Sequence, residues 1–222
     1  MKTDLTRAYN MDCMEFMKDV PDKFYELAIV DPPYGIGEDG SKNKSRRLLA
    51  KSKDYKSFAG KDLNAPSPEY FDLLKRKSKN QIIWGANHFI DNIPFNISSP
   101  CWIVWDKENG ETDFADCELA WSSFNTAVRK FKWKWQGMLQ KDMKNKQVRI
   151  HPTEKPVKLY EWILMNYAKE GDKILDTHGG SQSSRIACYN LGYALDIIEL
   201  DKEYFDQGNK RFETHKQQLT LF

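Results

Sequence analysis

The residues Asp31-Pro32-Pro33-Tyr34 bring a carboxylate, a stiffened backbone and an aromatic ring into four successive positions. They follow Leu27-Ala28-Ile29-Val30, an apolar run that reads as a buried strand. Two prolines cannot continue a hydrogen-bonded ladder, so the strand is expected to stop at Asp31. Carboxylate and ring are then presented together at a strand's C-terminal end, the edge where open α/β sheets bind ligands. The combination suits a flat, polar, amino-bearing group.

A second constellation stands near the other end of the chain. Ile174-Leu175-Asp176 reads as an apolar strand ending in an acid, and Thr177-His178-Gly179-Gly180-Ser181 as a turn opening into a helix. Paired glycines let a backbone approach a ligand closely. Roughly 20 residues on, a further strand delivers Glu199, where an acid can accept hydrogen bonds from ribose hydroxyls. The G-x-G-x-x-G pattern that meets a pyrophosphate is absent. Asp176 would repel phosphate and is better matched to an ammonium group. S-adenosylmethionine has an ammonium, a sulfonium, a ribose and no phosphate. The plainer alternative is a strand–turn–helix with Ser181 as a cap. His151-Pro152-Thr153-Glu154-Lys155-Pro156 also has two readings. It is either a simple helix start or a segment bringing Lys155 or a helix N-terminus toward a methionine carboxylate.

Elements that could position these residues follow from periodicity. Strands are expected near 6–9, 26–30, 81–84, 101–105, 117–122, 173–176 and 194–199. A helix is expected over about 154–169, with Thr153 as N-cap, Pro156 in its first turn and Gly171 as its stop. Others are expected over 183–191, ending at Gly192, and over roughly 202–216. Strands alternating with helices predict an α/β fold with a mostly parallel, mixed, seven-stranded sheet and helices on both faces.

With 222 residues the chain is long enough for a single domain with a sizeable core, and two full domains are not expected. A formal charge of +2 gives no global basic signal, so a nucleic-acid partner must be argued from local clusters. Two clusters exist. Residues 36–66 carry Lys42, Lys44, Arg46, Arg47, Lys51, Lys53, Lys56 and Lys61; residues 128–149 carry Arg129, Lys130, Lys132, Lys134, Lys141, Lys144, Lys146 and Arg149. Lys132-Trp133-Lys134-Trp135 interleaves charge with aromatics, as single-strand-binding grooves do. It reads equally as an exposed strand with Trp inward and Lys outward. The four cysteines show no metal-binding or disulfide spacing, and neither a signal-peptide core nor a membrane-length apolar run is present. A soluble, reducing, cytoplasmic setting without a bound metal is the expectation, and an exposed sheet edge would allow a homodimer.

Taken in order, these motifs resemble those of amino-group DNA methyltransferases. Asp31-Pro32-Pro33-Tyr34 resembles their catalytic motif, Leu175–Ser181 their cofactor motif, and His151–Pro156 the segment that precedes it. Catalytic motif first and cofactor motif last resembles the permuted beta group. Trp84-Gly85-Ala86-Asn87-His88-Phe89, Trp102-Ile103-Val104-Trp105-Asp106-Lys107 and Glu118-Leu119-Ala120-Trp121 are similar to a phage or prophage branch. The resemblance implies a Rossmann-like fold and S-adenosylmethionine as methyl donor. It implies Asp12 and the Cys13 backbone amide beside the cofactor's adenine, unless Asp12 is only a helix cap. It implies Lys155, Asp176, His178, Gly179, Gly180, Ser181 and Glu199 around the rest of the cofactor. Asp31, Pro32, Pro33 and Tyr34 would be catalytic, and Lys42, Lys44, Arg46, Arg47, Lys132 and Lys134 would contact DNA around a flipped base. The family usually has Pro and Phe at Thr177 and His178, and a glycine at Gln182. Asp rather than Ser at position 31 favours adenine N6 as acceptor. The alternatives are RNA adenine or cytosine N4 methylation, or a DNA-binding protein on a degenerate methyltransferase fold.

Overall fold

The computed structural model describes residues 3–37, 64–110, 115–135, 139–144, 146–151 and 153–219. Eight strands form one sheet: β1 (Thr6–Asn10), β2 (Tyr25–Val30), β3 (Ser78–Trp84), β4 (Trp102–Asp106), β5 (Cys117–Ser122), β6 (Arg129–Lys132), β7 (Lys173–Asp176) and β8 (Ala194–Glu199). The helices are α1 (Cys13–Lys18), α2 (Pro68–Lys77), α3 (Val157–Tyr167), α4 (Ser183–Leu191) and α5 (Lys202–Leu219). The strand order is β1-β8-β7-β2-β3-β5-β4-β6. All neighbours run parallel except β5, which is antiparallel to both β3 and β4.

The expected seven strands are present, and β6 is an eighth. Its sequence, Arg-Lys-Phe-Lys, lies inside the basic stretch assigned to nucleic-acid contact. Only Phe131 turns to the core, packing beside Trp133 and Trp162. An edge strand of lysines is a common way to stop further pairing.

Residues of β2 alternate between two cores. Leu27 and Ile29 join a cluster with Ile163, Leu164, Ile186 and Phe212 from α3, α4 and α5. Ala28 and Val30 join one with Met17, Phe71 and Leu74 from α1 and α2. A strand covered on both faces must be apolar throughout, which is why 27–30 reads as a continuous run.

The topology decides where a ligand can sit. From β2 the chain moves through α2 to β3 on one side; from β7 it moves through α4 to β8 on the other. β2 and β7 are hydrogen-bonded neighbours, with Ala28 opposite Leu175. The strand order therefore reverses between them, and the crevice outside their C-terminal ends is the place where such sheets bind ligands. Asp31 follows β2 and Asp176 ends β7.

Candidate active site

Asp31 stands where the sequence predicts it. Its side chain is 17 % exposed and both oxygens are engaged. The Tyr34 hydroxyl donates to Oδ1 at 2.8 Å, and the Lys155 ammonium lies 2.5 Å from Oδ2. Burial pushes the Asp31 carboxyl up from the ordinary range, while the Lys155 charge beside it pulls back down. Pro32 is buried and Pro33 half-buried.

Tyr34 lies flat in a tight seat. Its ring stacks on His88 at a centroid distance of 5.1 Å and meets Phe89 at 6.2 Å. Gly85, at φ +69°, makes this possible: a Cβ there would fall 2.1 Å from a Tyr34 ring carbon. An open cleft of about 530 Å³ adjoins the ring, lined in part by Asn64, Asn87, His88 and Asp91.

Lys155, which with the helix N-terminus is one of two groups the sequence offers to the cofactor's carboxylate, lies against the tetrapeptide. Its side chain, 3 % exposed, reaches across to the tetrapeptide and also lies 3.1 Å from Glu118 Oε2. The backbone explains the reach. α3 begins at Val157 with Pro156 as its cap, not at Thr153. A residue before proline is disfavoured in helical conformation, so Lys155 is kept out of the helix. Glu118 in turn pairs with Lys107, and the two cations hold its carboxyl down at about 2 despite burial. Glu118 and Lys107 stand in the sequence only inside segments that resemble a branch of the family, with no role assigned to either. The only local signal is an acid inside an otherwise apolar strand.

The second constellation is assembled at the ends of β7, β8 and β1. Asp176 is 2 % exposed and accepts from the Ser184 hydroxyl (2.6 Å) and the His178 amide (3.0 Å). Burial pushes its carboxyl up to about 7. Glu199 accepts from the Gly180 amide at 2.7 Å and the Asp201 amide at 2.8 Å, so it braces the glycine turn. Gly179 packs so closely that a Cβ would meet Ile197 at 2.9 Å. The buried Ser181 hydroxyl pairs with Ser183. Asp12 caps α1, accepting from the Met14 and Glu15 amides at 2.6 and 3.3 Å. The Cys13 thiol is pushed up to about 12 by burial, so it is no nucleophile.

His178 and Thr177 form a polar chain. His178 Nδ1 lies 2.9 Å from the Thr177 hydroxyl, which lies 2.6 Å from the Tyr70 hydroxyl. Desolvation holds the His178 imidazole down at about 4, so it is neutral at pH 7. Gln182 keeps the left-handed backbone, φ +57°, that a glycine adopts freely. Its side chain offsets the strain by donating to the Phe205 carbonyl and Asn209 and accepting from Arg185.

The residues fit S-adenosylmethionine. Asp12, Asp176 and Glu199 make no ion pair among the described residues. A buried carboxyl at Asp176 gains most from a cationic partner. Gly180 keeps ordinary contact distance from its nearest neighbour, the His151 ring at 3.7 Å, whereas Gly179 is taken up by Ile197; S-adenosylmethionine carries no phosphate for an amide nest to meet.

β6 ends at Lys132, and Trp133 and Lys134 follow it half-buried, outside the strand. Trp135 is 6 % exposed and donates to the Glu154 carbonyl at 2.7 Å, while Lys132 is exposed and lies 3.9 Å from Asp106. Lys42, Lys44, Arg46 and Arg47 lie outside the described residues.

A DNA methylase family model, of the N6 and N4 methyltransferase group, matches residues 25–210. The chain belongs to the DNA methylase family. It is 24% identical over 240 residues to the Type II methyltransferase M2.DpnII of Streptococcus pneumoniae, a match covering 93% of this chain and 89% of that one. Among solved structures, the M1.HpyAVI–SAM complex is 22% identical with a TM-score of 0.55, covering 93% of this chain and 99% of that one. PvuII DNA methyltransferase, described as cytosine-N4-specific, is 15% identical with a TM-score of 0.59, covering 97% and 92%. The methylase thus has the fold of S-adenosylmethionine-dependent methyltransferases. The described residues contain no cluster able to hold a metal ion and no helix long and apolar enough to cross a membrane.

Proposed function

We propose that this methylase transfers a methyl group from S-adenosylmethionine to the N6 amine of adenine in DNA. The observation that carries the reading is the juxtaposition of Asp31 with the Asp176–Ser181 turn on neighbouring strands at the switch point. S-adenosylmethionine supplies an electrophilic methyl on its sulfonium sulfur. Asp176 takes the ammonium, Glu199 the ribose hydroxyls, and Asp12 with the Cys13 amide the adenine, while Gly179, Gly180 and Ser181 shape the turn. Lys155 is left out of this set, because its donors face the catalytic tetrapeptide.

Adenine's exocyclic nitrogen is a poor nucleophile because its lone pair is conjugated with the ring. Asp31 and the Pro32 carbonyl accept its two hydrogens, which favours a pyramidal nitrogen and stabilises the charge that develops. The new N–C bond forms as the S–C bond breaks, and the proton the nitrogen then gives up passes by way of the Asp31 carboxylate to solvent. Tyr34 stacks on the base and Pro33 fixes the angle of approach. In duplex DNA the target must leave the stack, at about a few kcal/mol. Lys132, Lys134 and the lysines and arginines at 42–47 are proposed to hold phosphates meanwhile. A Type II relative also supports a place in restriction–modification.

Incubation with methyl-labelled cofactor and duplex DNA, single-stranded DNA or RNA tests the reading. N6-methyladenine in DNA is the expected product. Label found only as N4-methylcytosine or only in RNA would replace it.

A further inference from the structure

The placement of Lys155 asks for a role other than cofactor binding. An ammonium has three donors. Lys155 donates to the Tyr34 hydroxyl (3.1 Å) and lies at ion-pair distance from Asp31 Oδ2 (2.5 Å) and Glu118 Oε2 (3.1 Å), the last a buried oxygen that accepts no hydrogen bond. With the side chain 3 % exposed, the ammonium is held among these three oxygens, against the tetrapeptide. The groups form a half-buried chain, Lys107–Glu118–Lys155–Asp31, in which Lys155 is fully buried; it carries two positive and two negative charges and ends on the tetrapeptide.

The chain creates a conflict that the reaction must resolve. Both Asp31 oxygens are already in use, yet the target amine needs this carboxylate. Expelling a buried ammonium without a partner is costly. Glu118 removes that obstacle, because it already lies beside the Lys155 ammonium. Rotation of the lysine stem transfers the charge from Asp31 to Glu118 without leaving it unpaired. We propose that Lys155 is a positioning residue that holds Asp31 as an ionised acceptor, and that Glu118 receives its ammonium when the target amine arrives. The proposal rests on reading Asp31 as the amine's acceptor.

A merely structural ion pair would not set the pH dependence of methyl transfer; this arrangement does. The groups facing Asp31 are Lys155 before α3, Glu118 in β5, Tyr34 after β2, Tyr70 in α2, Tyr160 in α3 and Asp176 at the end of β7, with Lys107 behind Glu118. Lys155 lowers the Asp31 carboxyl and Glu118 raises it. Removing the two must therefore move the acid limb of the rate in opposite directions.

Single-turnover transfer to duplex DNA between about pH 5 and 9 reads this limb. Lys155→Met is expected to move it up by about 1–3 pH units, with the rate recovering in alkali. Glu118→Gln is expected to move it down, and to slow transfer at neutral pH about 10- to 100-fold, the worth of one charge-assisted hydrogen bond. Calorimetry should find cofactor binding intact in both. Profiles parallel to the unaltered enzyme, or shifted the same way, overturn the proposal. So does a Lys155→Met variant that loses cofactor affinity with its limb unmoved. If Lys155→Met does not fold, the direction of the Glu118→Gln shift decides alone. No adenine label from the unaltered enzyme overturns the parent reading as well, whereas label with unmoved variant profiles overturns this proposal only.

Discussion

At the scale of single residues, Gly85 separates a seat for Tyr34 from a collision. An added Cβ would lie 2.1–2.4 Å from three ring atoms of Tyr34, and φ is +69°. Gly192 offers the matched comparison, since it has φ +81° with nothing within 4 Å. Both Gly→Ala changes carry backbone strain of about 1 kcal/mol. Only Gly85→Ala also expels the ring and breaks the Tyr34 bonds to Asp31 and Lys155. It is expected to reduce the methylation rate about 100-fold while leaving cofactor affinity near normal, whereas Gly192→Ala should lower the melting temperature slightly and leave the rate intact. Equal rates in the two variants would mean that the position of Tyr34 does not matter. Asp31 and Tyr34 were legible in the sequence because they are neighbours in it, with two prolines to mark the strand's end. The contacts that hold them were not. Lys155 and Gly85 reach the tetrapeptide from two other elements and Glu118 acts on it through Lys155, and no local pattern encodes a meeting of that kind.

At the scale of elements, the same contrast separates what periodicity could find from what it could not. The two-sided strands β2 and β3 and the helix α4 with its Gly192 stop carry strong patterns. β6 does not, because one core-facing Phe131 among basic residues matches a charged loop as well as a strand. α2 escaped notice beside the basic stretch, although Pro68 at its first position and the cap position Ser67 are ordinary start signals. The join of β7 to α4 makes a measurable prediction. Asp176, fixed by Ser184 in the first turn of α4, is held up at about 7, and a cationic ligand favours only its ionised form. Binding must then release a proton. Cofactor affinity should rise with pH up to about 7, by at most about tenfold per pH unit, and flatten above it. Asp176→Asn should weaken binding and remove the slope. Calorimetry in buffers of different ionisation enthalpy measures the released proton directly, and a slope retained in Asp176→Asn would assign it to another group.

At the scale of the whole molecule, groups beside the crevice at the switch point are buried in a way that makes stability depend on pH. His151 packs on Tyr204 at 4.4 Å and His178 on Tyr70 at 5.5 Å, and desolvation holds both imidazoles down at about 4. A depressed folded value means that the unfolded chain binds the extra proton first. Each histidine therefore contributes stability that is present above about pH 6.5 and is lost as pH falls toward 4. Asp176, raised to about 7, acts in the opposite sense: its contribution is complete below its ordinary value near 3.8 and is lost as pH rises through 7. Asp31, Glu154 and Glu199 are also raised by burial and oppose the histidines in the acid range. The net curve thus mixes contributions of both signs, and a difference between variants isolates the histidines. Urea unfolding at pH 7.5 and pH 5, compared between the unaltered chain and a His151→Gln, His178→Gln pair, cancels the shared carboxyls. The double variant is expected to be less stable at pH 7.5, where it loses packing. The gap should narrow at pH 5, because only the unaltered chain must then keep two imidazoles neutral. A gap that stays constant would place both rings in contact with water in the folded molecule, and the crevice would then be wetter than its packing implies.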